Sequence, residues 1–491
     1  MDNSVAIIGS GFSALSAACY LARDGKKVQV YEKNEQPGGR ASQLKREGFT
    51  FDMGPSWYWM PDIFEKFFAD FGKSVSDYYT LDRLSPGYQI FFSDDVVTIG
   101  DSLDKIYAEF ERLEPGSSEP LKRFMVRAAD HYDIAINKMV YKPGVSPLEL
   151  VSRDTIQRVG RFFSTISRDI RKDFKNPKLV SILEFPVLFL GAKPSDTPSF
   201  YSFMNHADFT LGTWHPRGGM YRIVEGMVAL ARSLGVTFHT QSPVEGIAVE
   251  NGKAIGLFVG GDFVAADTVL SGADYHHTET LLPQHLRQYS ENYWDKRTFA
   301  PSSLLFYVGF DRKLAGVQHH NLFFDTDFEQ HAREIYDRPQ WPEAPLFYAN
   351  FPSVTDPTMA PEGKEAGFFL IPLAPGLEDN AQLREMYFNR IVDRLEQRTG
   401  SQVRNNIIFK ESFCVSDFVN RYNSYKGNAY GMANTLRQTA FLRPGLQSKK
   451  VQGLYFTGQL TVPGPGVPPS LISGKLVSEL IRKQTPQLST V

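Results

Sequence analysis

Residues 5–33 read VAIIGSGFSALSAACYLARDGKKVQVYEK, and this stretch decides the fold. The β-branched run at 5–8 predicts a strand, and the apolar residues between 15 and 22 recur at helical spacing. Gly25 ends the helix, and residues 28–31 then alternate as a second strand. The stretch therefore predicts a βαβ unit and, with it, an α/β fold.

The turn between the first strand and the helix has the spacing of a dinucleotide-binding fingerprint. Gly9 allows the tight turn, Gly11 lets backbone amides approach a pyrophosphate, and Ala14 lets the helix lie close to the strand. The helix N-terminus adds a positive field for the phosphates. Glu32 ends the second strand, where a carboxylate can accept hydrogen bonds from both hydroxyls of an adenosine ribose.

Further glycine turns follow this unit, the first of them directly behind it. Residues 37–40 read PGGR, residues 51–56 read FDMGPS, and residues 216–220 read PRGGM at the start of a predicted helix. Near the C-terminus a predicted strand runs into a turn at Gly458, and a helix is predicted behind it at 470–481. The turns at 37–40 and 51–56 come where the extended middle of a dinucleotide cofactor would run, and a nicotinamide enzyme has no need of them.

The composition is that of an ordinary globular protein of 491 residues, with 42% apolar and 22% charged side chains. The formal net charge of −2 argues against nucleic-acid binding. Two cysteines exclude a disulfide framework and a multi-cysteine metal site, and no other metal-ligand cluster stands out. The 38 phenylalanines supply more large apolar surface than a core of this size normally needs, as a large apolar ligand or a membrane face would use.

In order and spacing, these motifs resemble those of the bacterial-type phytoene desaturases, which are FAD-dependent carotenoid desaturases of the amine-oxidase and GDI-like flavoprotein group. The resemblance implies a Rossmann-like FAD-binding domain, an inserted mixed α+β substrate domain and a helical membrane-facing region. The implied domains are a discontinuous FAD-binding domain at 1–75, 211–285 and 415–491, a helical substrate or membrane region at 76–210, and a substrate-binding domain of sheet and helices at 286–414.

The resemblance also implies FAD as the cofactor and no metal. The residues expected to contact FAD are Gly9, Gly11, Ala14, Glu32, Lys33, Gly39, Arg40, Gly54, Pro55, Ser56, Val244, Gly458, Gln459, Gly466, Val467 and Pro468. Only one dinucleotide fingerprint is legible, so we expect oxygen or a membrane quinone, rather than NAD(P), to reoxidise the flavin.

The implied reaction is desaturation of phytoene or a related C40 or C30 carotene toward lycopene-type products, by hydride transfer to flavin N5 and loss of a vicinal proton. Relatives place an Asp and an Arg after an R-D pair as polar groups of the pocket. The nearest match is Asp154 with Arg158, which we take as candidate catalytic residues, with simple surface charge as the other interpretation.

Two alternatives to phytoene desaturation remain open. One is another isoprenoid flavoenzyme, such as a hydroxycarotenoid desaturase, a carotene isomerase or a retinol-saturase-like reductase, and the other is a non-catalytic GDI-like prenyl-binding protein.

A water-insoluble carotenoid substrate implies entry from a bilayer. The uncharged stretches at 3–22 and 451–474 are interrupted by glycine and proline turns, so neither predicts a spanning helix. Basic residues surround an apolar stripe of Val159, Phe162, Phe163, Ile166, Ile170 and Phe174. This pattern predicts either contact with an anionic membrane or an ordinary core-facing helix, and residues 61–72 have a similar stripe. We expect a cytoplasmic protein that is peripheral to the inner face of the cell membrane.

Overall fold

The computed structural model describes residues 3–144, 146, 164–435 and 437–484. Within these residues the chain forms the strands β1 Ser4–Ile8, β2 Lys27–Tyr31, β3 Gln43–Arg46, β4 Phe49–Asp52, β5 Leu81–Arg83, β6 Tyr88–Phe91, β7 Val96–Ile99, β8 Trp214–Pro216, β9 Thr237–His239, β10 Val244–Glu250, β11 Lys253–Val259, β12 Asp262–Ala265, β13 Thr268–Ser271, β14 Ser302–Phe310, β15 His320–Phe323, β16 Phe347–Asn350, β17 Glu365–Leu373, β18 Ile407–Phe413 and β19 Leu454–Phe456.

The α-helices of the same residues are α1 Phe12–Arg23, α2 Pro61–Ala69, α3 Leu103–Leu113, α4 Ser118–Ile134, α5 Ile166–Asp173, α6 Pro177–Glu184, α7 Phe203–His206, α8 Tyr221–Ser233, α9 Tyr275–Thr280, α10 Glu291–Asp295, α11 Phe328–Tyr336, α12 Ala381–Thr399, α13 Val415–Tyr422 and α14 Val467–Gln484. The strand–helix–strand order predicted for residues 5–33 is confirmed by β1, α1 and β2.

Five strands form a parallel sheet in the order β19-β13-β1-β2-β9. The register pairs Ile8 with both Tyr31 and Ser271, and Ser271 with Phe456, so the carboxyl ends of four strands meet at one edge. The central strand β1 is buried on both faces from Val5 to Ile8, which explains why it is a continuous apolar run rather than an alternating one. Segments that lie far apart in the sequence therefore end side by side.

Helices α1 and α14 pack against each other beside this sheet. A Cβ added to Gly474 would lie 2.4 Å from the carbonyl oxygen of Ser13 and 2.6 Å from the Cβ of Ser16. The Ser16 hydroxyl also donates a hydrogen bond of 2.7 Å to the carbonyl oxygen of Leu471. The absence of a side chain at Gly474 thus allows the last helix to join the first βαβ unit.

A second, mixed sheet contains seven strands in the order β18-β14-β17-β16-β15-β6-β7. Along β14 the side chains alternate between two environments, as strand geometry requires. Leu304 and Phe306 lie in the core formed with α12, whereas Leu305 and Tyr307 lie in the core shared with the parallel sheet. Strands β10, β11 and β12 form a separate antiparallel sheet.

Two strands of the seven-stranded sheet come from the region 76–210, which we expected to be helical. β6 pairs with β15 and with β7, and β5 of the same region pairs with β8. The helical description is therefore wrong for residues 81–99. The burial of Val96–Ile99 alternates with a period of two, a signal too short to stand out beside the charged helices that follow. The domain boundaries themselves stay a prediction.

The apolar stripes considered as membrane contacts face the protein core wherever the structure describes them. In α2 the stripe residues Ile63, Phe64, Phe67 and Phe68 are buried. In and after α5 the buried stripe residues are Ile166, Ile170 and Phe174, while Val159, Phe162 and Phe163 lie outside the described residues. The basic Arg171 forms ion pairs with Glu184 and Glu329. No helix of the described residues is long and apolar enough to cross a bilayer.

Candidate functional site

A cavity of about 790 Å³ begins where the strands of the parallel sheet end and continues to the seven-stranded sheet. It is lined by every residue predicted to contact FAD except Ala14. That these residues bind FAD stays a prediction, but the structure does bring them together. The candidate catalytic residues Asp154 and Arg158 lie outside the described residues.

The first glycine turn leaves space for a ligand above the N-terminus of α1. Gly9 has a φ of +83°, and its N–H group donates a hydrogen bond of 2.8 Å to the carbonyl oxygen of Tyr31. A Cβ added to Gly11 would meet no other atom within 4 Å. Since the first N–H groups of a helix have no partner within the helix, this space fits a pyrophosphate.

Ala14 supports the turn by packing. Its side chain is fully buried, and a Cβ added to Gly272 would lie 2.7 Å from the Cβ of Ala14. Gly272 directly follows β13, so α1 lies close to the sheet at this point. A larger residue at either position would push the helix away from the sheet and widen the phosphate turn.

Glu32 is buried at the end of β2 and its carboxylate is held in one orientation. One oxygen accepts hydrogen bonds from the N–H group of Ser10 at 2.9 Å and from its hydroxyl at 2.6 Å. The other oxygen accepts from the N–H group of Asn34 at 2.9 Å. The neighbouring Lys33 donates to the side chain of Asn423 at 2.9 Å. A fixed carboxylate on the cavity wall suits the ribose hydroxyls of a dinucleotide.

Arg40 connects the PGGR turn directly to the C-terminal turn. Its guanidinium lies 5.5 Å from the centre of the Tyr422 ring and donates to the hydroxyl of Ser424. In the amide orientation that satisfies both groups, the side-chain oxygen of Gln459 accepts from both Nη atoms of Arg40, at 3.0 and 3.1 Å. Burial lowers the pKa of Arg40. A Cβ added to Gly54 would lie 2.3 Å from the carbonyl oxygen of Arg40, so the FDMGPS turn belongs to the same assembly.

Arg443 holds the C-terminal turn in place, and sequence analysis missed it. The buried guanidinium donates to the carbonyl oxygens of Thr461 and Gln459, at 2.8 and 2.7 Å, and to the side chain of Asn434 at 2.7 Å. Burial lowers the pKa of Arg443 to about 10. A single arginine before a Pro-Gly turn resembles a surface residue in sequence, and no local pattern distinguishes it from one.

The part of the cavity beyond the glycine turns has an aromatic wall. Successive ring contacts lead from Trp57 to Phe185 at 5.5 Å, from Phe185 to Phe324 at 5.9 Å, and from Phe324 to Phe328 at 5.6 Å. Phe328 begins a face of α11 that also turns His331, Ala332, Ile335 and Tyr336 toward the cavity. The spacing of 3, 4, 7 and 8 residues from Phe328 could have revealed this face, because it is the spacing of one side of a helix.

Beside Trp57 a buried polar group connects the FDMGPS turn to the seven-stranded sheet. The phenol of Tyr348 lies 3.0 Å from the Ser56 hydroxyl and 2.6 Å from Nδ1 of His320. The His320 ring stacks on Trp57 at 4.0 Å, and burial holds the pKa of His320 well below its usual value. The site as a whole can hold a dinucleotide whose reactive end faces an apolar chamber with neutral polar groups.

Comparisons with known proteins agree with this geometry. A family model described as flavin containing amine oxidoreductase matches residues 12–482. The chain is 44% identical to a carotenoid 3,4-desaturase of Haloarcula japonica, over 97% of this chain and 97% of that protein. It is 32% identical to a zeta-carotene-forming phytoene desaturase of Myxococcus xanthus, over 97% of this chain and 93% of that protein.

Among solved structures, an oxidoreductase from Methanosarcina mazei matches with a TM-score of 0.65 and 18% identity, over 97% of this chain and 100% of its own. A likeness at this identity shows the fold alone. It confirms the predicted α/β fold class, and the family match confirms the predicted cofactor, FAD.

Proposed function

The chain belongs to the family of flavin-containing amine oxidoreductases and, within it, to the carotenoid desaturases, and on this basis we propose that it desaturates an acyclic carotenoid. The observation that carries the proposal is the continuity of one cavity from the glycine turns to the aromatic wall. We infer that the bond oxidised is the 3,4 bond near one end of the carotenoid. The support for this position is the name of the relative that is 44% identical.

FAD, when bound, supplies the hydride acceptor that no protein side chain can provide. The residues of the chain bind it and shape its surroundings. Glu32 suits the adenosine ribose, the turn at Gly9 and Gly11 suits the pyrophosphate, and the joined Arg40 and Gln459 lie farther along the cavity. The aromatic wall excludes water from the chamber, which protects a positively charged polyene from attack by water.

A second candidate is desaturation of phytoene or a related carotene toward lycopene-type products. It is supported by the relative that is 32% identical, which is named a zeta-carotene-forming phytoene desaturase. A purely escorting role has less support, because a prenyl-binding protein has no use for a buried ribose carboxylate and a pyrophosphate turn in the same cavity.

Product analysis tests the reaction. We expect the FAD-loaded protein, kept without oxygen, to bleach its flavin absorption when it receives an acyclic carotenoid whose 3,4 bond is saturated. The carotenoid should lose two hydrogens in mass and absorb at longer wavelength. Phytoene offered in parallel distinguishes the two candidates. If neither carotenoid bleaches the flavin or changes in mass, the proposed function is wrong.

We also propose that oxygen or a membrane quinone, rather than NAD(P), reoxidises the flavin, since the sequence contains one legible dinucleotide fingerprint.

A peripheral membrane contact follows from the insoluble substrate, and we propose it at the cavity entrance near residues 440–442. Phe441 lines the cavity and is 37% exposed, and its neighbour Leu442 is 42% exposed. Their exposure beside the cavity is the support for this position.

Changing Phe441 and Leu442 together to Ser tests the membrane contact. We expect binding to phospholipid vesicles to fall at least about tenfold, because two large apolar side chains lose their transfer free energy into the bilayer. Co-sedimentation with vesicles measures the effect. The matched control changes Phe258 and Phe263, which are 41% and 50% exposed on the separate β10–β12 sheet. Equal loss of binding in both double variants, or no loss in either, would show that the entrance is not the contact.

A further inference from the structure

A chain of three hydrogen-bonded groups leads from the cavity wall into the core behind it. Ser56 lines the cavity and is half-buried, and its hydroxyl oxygen lies 3.0 Å from the phenol oxygen of Tyr348. That phenol lies 2.6 Å from Nδ1 of His320, a fully buried imidazole. Trp57, which stacks on His320, is the first residue of the aromatic wall. The chain therefore starts where the glycine turns meet the apolar chamber.

The direction of these hydrogen bonds follows from the groups around His320. The side-chain nitrogen of Asn350 donates to the carbonyl oxygen of His319 at 2.9 Å, and the same nitrogen is 3.3 Å from Nδ1 of His320. Because Nδ1 faces this amide donor, it is an acceptor, and the phenol of Tyr348 donates its only hydrogen to it. The Tyr348 oxygen then accepts from the Ser56 hydroxyl. Every hydrogen of the chain thus points toward His320.

The surroundings of His320 keep it neutral at rest and suit a transient positive charge. Burial and the nearby His215 hold the pKa of His320 well below its usual value. Its ring lies parallel to that of Trp57, at 9° and 4.0 Å, and the face of an indole attracts a cation. On its other side, the rings of His319 and His215 follow at 4.5 and 4.7 Å, and Nε2 of His215 is 3.1 Å from a carboxylate oxygen of Asp356.

The other bases of the cavity wall are placed or bonded differently. In the described part of the chain, the carboxylates and imidazoles that line the cavity are those of Glu32, Asp274, His277 and His331. The first three belong to the segments that directly follow β2 and β13 at the end of the parallel sheet. Both ring nitrogens of His331 are engaged, since Nδ1 accepts from the N–H group of Leu346 at 3.0 Å and Nε2 lies 2.9 Å from the carbonyl oxygen of Pro372.

Desaturation needs a proton acceptor beside the apolar chamber. Loss of a hydride to FAD leaves a positively charged polyene, and a neighbouring C–H bond must then break to form the new double bond. Such a cation is a very strong acid, so a weak and neutral base is sufficient to take its proton. A buried imidazole that is neutral at rest meets this need without placing a permanent charge beside the hydrocarbon.

We propose that Ser56, Tyr348 and His320 carry away the proton that the carotenoid loses. The C–H bond breaks, its electron pair becomes the new π bond, and the proton binds the hydroxyl oxygen of Ser56. Ser56 passes its own hydrogen to the oxygen of Tyr348, and Tyr348 passes its hydrogen to Nδ1 of His320. The positive charge ends on His320. The inference rests on the proposed function, because it assumes that the cavity holds a carotenoid whose hydride goes to FAD.

Tyr348→Phe and His320→Asn each break the chain and leave Ser56 in the cavity wall. With the FAD-loaded protein kept without oxygen, we expect both variants to desaturate the carotenoid at least about 100-fold more slowly than the parent. Their affinity for the carotenoid and their FAD content should be those of the parent. Tyr387→Phe is the matched control and should keep the parent's rate. It removes a buried phenol, 2.5 Å from the carbonyl oxygen of Pro342, from α12, whose residues do not line the cavity.

Deuterium at either of the two reacting carbons separates slow proton loss from a misplaced substrate. In both chain variants the rate should become sensitive to deuterium at the carbon that loses the proton, because that step is then the slow one. A merely structural change would slow removal of the hydride, and the isotope effect would appear at the other carbon. Independently of turnover, nitrogen-15 NMR of the parent should show the resting hydrogen of His320 on Nε2, in a signal that is missing in His320→Asn or shifted in Tyr348→Phe.

Three results would overturn this assignment alone while the parent desaturates its carotenoid. They are a resting hydrogen on Nδ1 of His320, parental rates in both chain variants, and slower rates with an isotope effect only at the carbon that loses the hydride. A parent that desaturates no carotenoid would end the proposed function, and this assignment with it.

Discussion

Replacing Glu32 by Ala is expected to lower the affinity for FAD at least about 100-fold. Two charge-assisted hydrogen bonds to the ribose are worth about 1.5–3 kcal/mol each, so losing both corresponds to roughly two to four powers of ten. The same carboxylate accepts hydrogen bonds from Ser10 and Asn34, and its loss also removes a buried anchor of the phosphate turn. Titration of the deflavinated protein with FAD, followed by flavin fluorescence, measures the change.

Glu35→Ala is the matched control for this experiment. Glu35 lies three residues further on, is exposed and forms an ion pair of 2.6 Å with Arg421, but it does not line the cavity. An exposed ion pair contributes little, so its removal should change FAD affinity less than about fivefold. If Glu32→Ala bound FAD as tightly as Glu35→Ala, the assignment of Glu32 to the ribose would be wrong.

Gly474→Val is expected to destabilise the protein strongly and to deplete it of FAD, although residue 474 lies outside the cavity lining. The new Cβ would lie 2.4 Å from the Ser13 carbonyl oxygen and 2.7 Å from the backbone nitrogen of Ala17. Overpacking typically costs about 1–3 kcal/mol, and more where backbone has to move. Because α1 carries the phosphate turn, its displacement should lower the FAD content together with the melting temperature.

The control is Gly445→Ala, a glycine whose added Cβ would have its nearest contact at 3.7 Å and whose φ is not positive. We expect this variant to keep the melting temperature and the FAD content of the parent. Thermal melting and the ratio of flavin to protein absorbance measure both quantities. A Gly474→Val protein that melts like Gly445→Ala and retains its flavin would contradict the close packing of α1 on α14.

The residues that line the cavity at the glycine turns could be predicted well, because their signals are local. The turn at Gly9 and Gly11, the helix behind it and the acid at Glu32 are each visible within a few residues. The chamber could be predicted less well. The polar pair beside it, Tyr348 and His320, comes from two strands that have no common motif.

The sequence by itself determined the α/β class, the dinucleotide turn and the periodicity of the apolar stripes, because these depend on steric and hydrogen-bonding rules within one element. It left open which way the stripes face. Only the tertiary structure decided that the apolar residues of α2 and α5 face inward. It also decided that residues 81–99 contain the three strands β5, β6 and β7. The physical reason is that burial depends on partners distant in the chain. Arg40 obtains its contact with Gln459, and Gly474 its contact with Ser13, only when the sheet has aligned the ends of its strands.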